Sequence, residues 1–173
     1  MIGHSGLTSE WICVSCEGKT IDGRTIEPDW LIGMANSYDP NLYTALIWEE
    51  HDRNKPNLGE VLALKFDYIG KEVRLYARIK PTLKLIEYNR NGQKLFCSVE
   101  VEEDFVQSGV FYLGGLAVTD SPASVNTDRL RFNNRNHFSR PDSKPVISTP
   151  LALENIVFSS RSVKGWVSAI TSG

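Results

Sequence analysis

Apolar and polar residues alternate with the period of a strand over several short runs of this chain. In "KLFCSVEVEE", residues 94–103, Leu95, Cys97, Val99 and Val101 fall on one face while Phe96, Ser98, Glu100 and Glu102 fall on the other. The pattern predicts a half-buried strand with Cys97 turned inward and Ser98 turned outward. "EVLALKFDYIG" and "EVRLYARIK" alternate in the same way on either side of Gly70-Lys71, which predicts a hairpin. Further strands are expected in 10–18, ended by Gly18, and in 42–51, which is rich in β-branched and aromatic residues. A last one covers 109–123, broken or bulged at Gly114-Gly115.

Helical spacing appears twice. Leu31, Met34, Ala35 and Tyr38 recur at the period of a helix that starts at Pro28 and runs to about Ser37. Proline is tolerated there because a first-turn N–H has no partner to lose. Residues 81–92 predict a short helix with Thr82 as N-cap and Gly92 as its stop. Between the first strand and the first helix, Asp22-Gly23 marks a turn. The core is expected to end near Ala123, and from about Arg129 the chain loses its apolar period and reads as a solvated linker, with a short helix after Pro150. There is no internal repeat. Short strands in this number have to dispose of their edges, which predicts a closed or nearly closed sheet with helices packed outside.

Composition narrows the class of protein. A chain of 173 residues, 41% hydrophobic and 23% charged, suits one globular domain with a real core. Its net charge of -2 and pI of about 5.9 give no electrostatic footprint for nucleic acid or for an anionic membrane. No apolar run approaches the roughly 20 residues that span a bilayer. The N-terminus lacks a basic stretch followed by an apolar one, so a reducing cytoplasm is expected. Three cysteines are an odd number and too few for a disulfide framework.

Several residue groups carry candidate chemistry. Cys13 and Cys16 match C-x-x-C, yet residues three apart on a strand point to opposite faces, and structural zinc wants four ligands. The acidic run around His51 cannot converge on one metal ion from an extended strand. Taken singly, Ser98 is a serine on a polar strand face, His51 a surface or capping histidine, and Asp22 a turn aspartate. Taken together they supply the three chemical types of an acyl-transfer triad: a hydroxyl, a base to take its proton, and a carboxylate to fix the base's tautomer.

The stretches "CEGKTIDGRTIEPDWLIGMANSYDPNLYTALIWEEH", "KLFCSVEV" and "YLGGLAVTDSPAS" resemble the capsid scaffolding proteases of tailed bacteriophages of the P2 type, the GPO family. The likeness runs from about Trp11 to Phe132. It implies a serine peptidase with Ser98 as nucleophile, His51 as general base and then acid, and Asp22 as orienting carboxylate. Gly114 and Gly115 are candidates for oxyanion donors, with a bulge or packing role as the rival reading. Arg24 either orders Asp22 or faces solvent.

The resemblance further implies a fold like that of herpesvirus maturation proteases: α+β, mainly β, a small closed or nearly closed antiparallel β-barrel flanked by short helices. On this reading residues 1–10 are an N-terminal extension and 11–132 the protease domain. Residues 133–173 are then a polar linker and the start of a scaffolding region whose long helix this chain lacks. Expected partners are the major capsid protein and scaffold as protein substrates, with a homo-oligomer open and neither nucleic acid nor membrane. No cofactor or metal is expected, and the site of action is the host bacterial cytoplasm, inside the assembling prohead. The rival function is a catalytically inactive scaffolding module of the same fold; a barrel holding a small ligand is a third.

Overall fold

The computed structural model describes residues 5–131 and the strand Val157–Phe158. The first strands are β1 (Leu7–Thr8), β2 (Ile12–Cys16), β3 (Gly18–Lys19) and β4 (Thr25–Ile26), followed by helix α1 (Pro28–Ser37) and β5 (Leu46–Glu49). Then come β6 (Gly59–Ile69), β7 (Glu72–Pro81), helix α2 (Leu83–Arg90), β8 (Phe96–Glu102), a 3₁₀ turn (Phe105–Gln107), β9 (Tyr112–Thr119) and β10 (Val157–Phe158). The predicted hairpin is β6–β7, turning at Gly70, whose φ of 64° is the left-handed conformation that glycine adopts without steric cost. Along β7 every second residue is buried, and Val73, Leu75, Ala77 and Ile79 line the core as their shared face requires.

Six strands form one sheet in the order β2-β7-β6-β5-β9-β8. Of the closed or nearly closed antiparallel barrel expected, no closed barrel forms among the described residues. β2 and β8 share no ladder, so the sheet is open, and β5 pairs with β9 in parallel while the other neighbours are antiparallel. A parallel pair needs a long crossover. Here β6, β7, α2 and β8 all lie between β5 and β9 in the chain. The mainly β, α+β class holds, with two short helices.

Although β2 and β8 are not paired, they approach each other, and the segment after β9 is laid between them. Cys16 N donates to Ser124 Oγ at 2.9 Å. Cys13 N donates to Asp128 Oδ2 at 2.7 Å while Asp128 N donates back to Cys13 O at 2.9 Å. Leu130 N reaches Leu95 O, at the entry to β8, at 2.6 Å, and the Leu130 side chain is fully buried. The core therefore extends to Leu130, past the expected end near Ala123. The seam is held by backbone groups and isolated side chains, which leave no hydrophobic period to read.

Other boundaries differ for similar reasons. β5 is shorter than 42–51 because Tyr38 and Tyr112 occupy the backbone ahead of it: Ala45 N donates to Tyr38 Oη at 3.0 Å, and Tyr112 Oη donates to Tyr43 O at 2.7 Å. Residues 5–9 pack against the fold. Ser5 Oγ donates to Pro81 O, Leu7 is buried, Ser9 N donates to Ile79 O, and β1 pairs with β10. The expected helix after Pro150 lies outside the described residues apart from Val157–Phe158, which are strand.

Both helices have the predicted bounds. α1 places Pro28 in its first turn and buries Leu31 and Met34 against β6, β7 and β9. α2 is capped by Thr82, whose Oγ1 accepts from Leu85 N at 3.3 Å. No helix among the described residues is long and apolar enough to cross a membrane.

Replacing Leu130 by Ala is expected to destabilise the fold by about 2–4 kcal/mol, the range for emptying a buried leucine site. Urea titration measures it. A change within error would mean that the seam segment is not part of the cooperative unit.

Candidate active site

β8 separates the two candidate nucleophiles as its alternation requires. Cys97 is fully buried, and burial pushes its thiol far above the range in which a thiolate forms near neutrality. Ser98 is half-buried on the opposite face. Across the sheet Ser98 is opposite Ala117, which is opposite Trp48; one step along, Glu100 is opposite Gly115 and Gly115 opposite Leu46. Ser98 and Glu100 thus share a face, about 7 Å apart along the strand.

His51 is brought to that face by the turn leaving β5. Glu50 and His51 both take left-handed backbone, with φ of 50° and 61°. This costs non-glycine residues on the order of 1–2 kcal/mol each. The turn is held by its neighbours: Thr119 Oγ1 donates to Glu50 Oε2 at 2.8 Å, Lys94 Nζ to Glu50 Oε1 at 2.9 Å, and Tyr88 Oη to Glu49 Oε2 at 3.0 Å. Reversed in this way, His51 places Nδ1 2.6 Å from Glu100 Oε1. Arg53 also binds Glu100, with Nη1 2.9 Å from Oε1 and Nη2 on Oε2, and its guanidinium lies 4.6 Å from the centre of the Trp48 ring. Burial alone would raise the Glu100 carboxyl, but the bonds and charges of His51 and Arg53 outweigh it and hold it at about 2.

Asp22 sits in the turn between β3 and β4, half exposed. Its Oδ1 accepts from Thr20 Oγ1, and its Oδ2 lies 2.9 Å from Arg24 Nε and 2.8 Å from Arg24 Nη2. Those bonds hold its carboxyl down at about 2. Arg24 does both things its two readings allow: it bonds Asp22 and it faces solvent. Among the described residues, His51 is hydrogen-bonded to Glu100 and to neither Ser98 nor Asp22.

A cavity of about 100 Å³ opens beside Ser98 at the seam between β2 and β8. Ile26, Trp30, Val99 and Val101 supply apolar lining, and Thr20 and Arg24 bring the Asp22 turn to it. Ser15 also lines it, with a buried Oγ that has no hydrogen-bond partner.

Gly114 and Gly115 form the bulge of β9: Glu100 is opposite Gly115, and Val101 skips to Leu113. Carboxylates fill the space above both. A Cβ at Gly114 would lie 2.9 Å from Glu102 Oε1, and one at Gly115 2.6 Å from Glu100 Oε2. Cys13 and Cys16 are free and buried, and burial pushes the Cys13 thiol up to about 12. No group of side chains among the described residues is arranged to hold a metal ion. Sequence reasoning missed Glu100 and Arg53. The available signal was that Glu100 shares the Ser98 face of β8.

A family model described as "GPO serine peptidase, N-terminal domain" matches residues 9–135. The capsid assembly scaffolding protein of Escherichia phage P2 is 35% identical over 165 residues, covering 84% of this chain. The chain spans 58% of that relative's length. No solved structure matches.

The depressed Glu100 carboxyl has a definite pH signature. Its pKa of about 2 lies below the ordinary 4.5, so it stabilises the fold above about pH 4.5, and that contribution is lost as the pH falls toward 2. Glu100→Gln is expected to cost about 1 kcal/mol at neutral pH, a modest figure because Arg53 and His51 are partly exposed. In urea titrations the gap from wild type should shrink as the pH drops through that window. A gap independent of pH would count against charge pairing as its source.

Proposed function

We propose, from the premise that the chain belongs to the GPO serine peptidase family, that it is a phage prohead maturation endopeptidase. On this reading it cleaves itself, scaffold and capsid protein during head assembly, inside the prohead. The observation that carries the reading is the state of His51. One ring nitrogen is tied to Glu100, which shares a strand face with Ser98; the other makes no hydrogen bond among the described residues, and the side chain is partly exposed.

Ser98 Oγ attacks the scissile carbonyl while His51 Nε2 takes its proton; the imidazolium then returns that proton to the leaving amine. Water repeats the sequence on the acyl-enzyme and restores Ser98. Asp22, the acidic member of the triad that the resemblance implies, is bonded to Thr20 and Arg24, two residues that line the cavity. Contact between Nε2 and Oγ is left for the substrate complex to tighten, as catalytic hydrogen bonds commonly do. The adjacent cavity, with its apolar lining, supports binding of a substrate side chain next to the scissile bond.

Two outcomes are expected. A serine-directed phosphonate adds to Ser98 in wild type and not in Ser98→Ala, by intact-mass measurement, and cleavage of the capsid protein falls by on the order of 10⁵-fold in the variant. A folded sample that shows neither adduct nor cleavage, with and without the capsid protein, would favour a purely scaffolding role instead.

A further inference from the structure

We infer that Glu100 is the positioning carboxylate of His51, held in place by Arg53; this rests on the reading of Ser98 and His51 as a catalytic pair. The contact itself is specific. Glu100 Oε1 meets Nδ1 at 2.6 Å, and both carboxylate oxygens are gripped by the Arg53 guanidinium, a forked arrangement that fixes the carboxylate plane as well as its position. Arg53 is braced in turn against Trp48. The Glu100 side chain is only 19% exposed, whereas that of Asp22 is 50% exposed and already occupied by Thr20 and Arg24.

The fit extends to Ser98. An imidazole that bridges two oxygens needs two hydrogen bonds of about 2.8 Å and roughly 2 Å across the ring, a span of about 7 Å. Residues i and i+2 on one strand face are about that far apart. Ser98 and Glu100 share one face of β8, so a single strand supplies both the nucleophile and a carboxylate on the side where His51 lies. Binding of Nδ1–H to Glu100 also selects the tautomer whose Nε2 is free to accept the serine proton.

Gly115 belongs to the same device. A Cβ there would sit 2.6 Å from Glu100 Oε2 and 2.9 Å from Arg53 Nη2. Because both atoms are ends of flexible side chains, an alanine would displace the pair rather than the backbone. The glycine thus lets Glu100 and Arg53 lie flat on the sheet beneath His51.

The test compares Glu100→Gln, Gly115→Ala and Asp22→Asn by single-turnover cleavage and by ¹⁵N resonances of the His51 ring. Glu100→Gln is expected to lower kcat on the order of 10²–10⁴-fold, with KM within about threefold, because a wrong tautomer leaves binding intact. It should also change the His51 tautomer balance. Gly115→Ala should shift both readouts in the same direction and to a smaller extent, and Asp22→Asn should leave the His51 resonances where they are. A wild type labelled at Ser98 alongside a Glu100→Gln variant with unchanged kcat and ring resonances overturns this inference alone. Asp22→Asn shifting the ring resonances while Glu100→Gln does not would overturn it in favour of Asp22. Absence of label in the wild type would remove the underlying reading and this inference with it.

Discussion

Two strand edges that face each other without pairing set the constraint under which the rest of this molecule is built. Buried backbone N–H and C=O groups have to find partners, and the outer edges of β2 and β8 do not supply them to each other. The chain meets the requirement by laying residues 123–130 into the gap: Ser124 and Asp128 bond β2, and Leu130 bonds the chain entering β8. Because this filling is a single strand of irregular backbone rather than another ladder, it leaves space beside it. The cavity next to Ser98 is that space.

The same economy governs the charged face. Glu49, Glu50, His51 and Arg53 follow one another within five positions, which on an extended strand would scatter them over both faces. Two consecutive left-handed residues fold them back instead, and Lys94, Thr119 and Tyr88 take up the acidic pair so that His51 and Arg53 are left to meet Glu100. The backbone strain is offset by charge-assisted bonds around it. Each ionic group in the cluster has a named partner, so the site carries high charge density without an unpaired buried charge.

Much of this was legible in the sequence where regular periodicity exists. The β6–β7 hairpin, both helices, the Thr82 cap and the inward turn of Cys97 all follow from spacing and capping chemistry. What was not legible depends on long-range pairing. The parallel register of β5 on β9 has no local signature, since the two strands meet only after five other elements intervene. The seam is encoded in isolated residues such as Asp128 and Leu130 that carry no period. Glu100 was visible as a face-mate of Ser98, but its pairing with His51 depends on a turn whose left-handed residues are not glycines, the conformation local sequence predicts worst.

The seam also imposes an order of assembly. The bond from Cys13 to Asp128 closes a separation of 115 residues, and the one from Cys16 to Ser124 closes 108. Contacts that distant pay their loop-closure entropy before they return any stabilisation, and they form late. A chain leaving the ribosome can complete the β6–β7 hairpin and α2 from local contacts long before residue 130 exists. The space beside Ser98 cannot be enclosed until Ala123 and Ser124 have emerged and docked, so the serine is present in the nascent chain before the cavity that accompanies it.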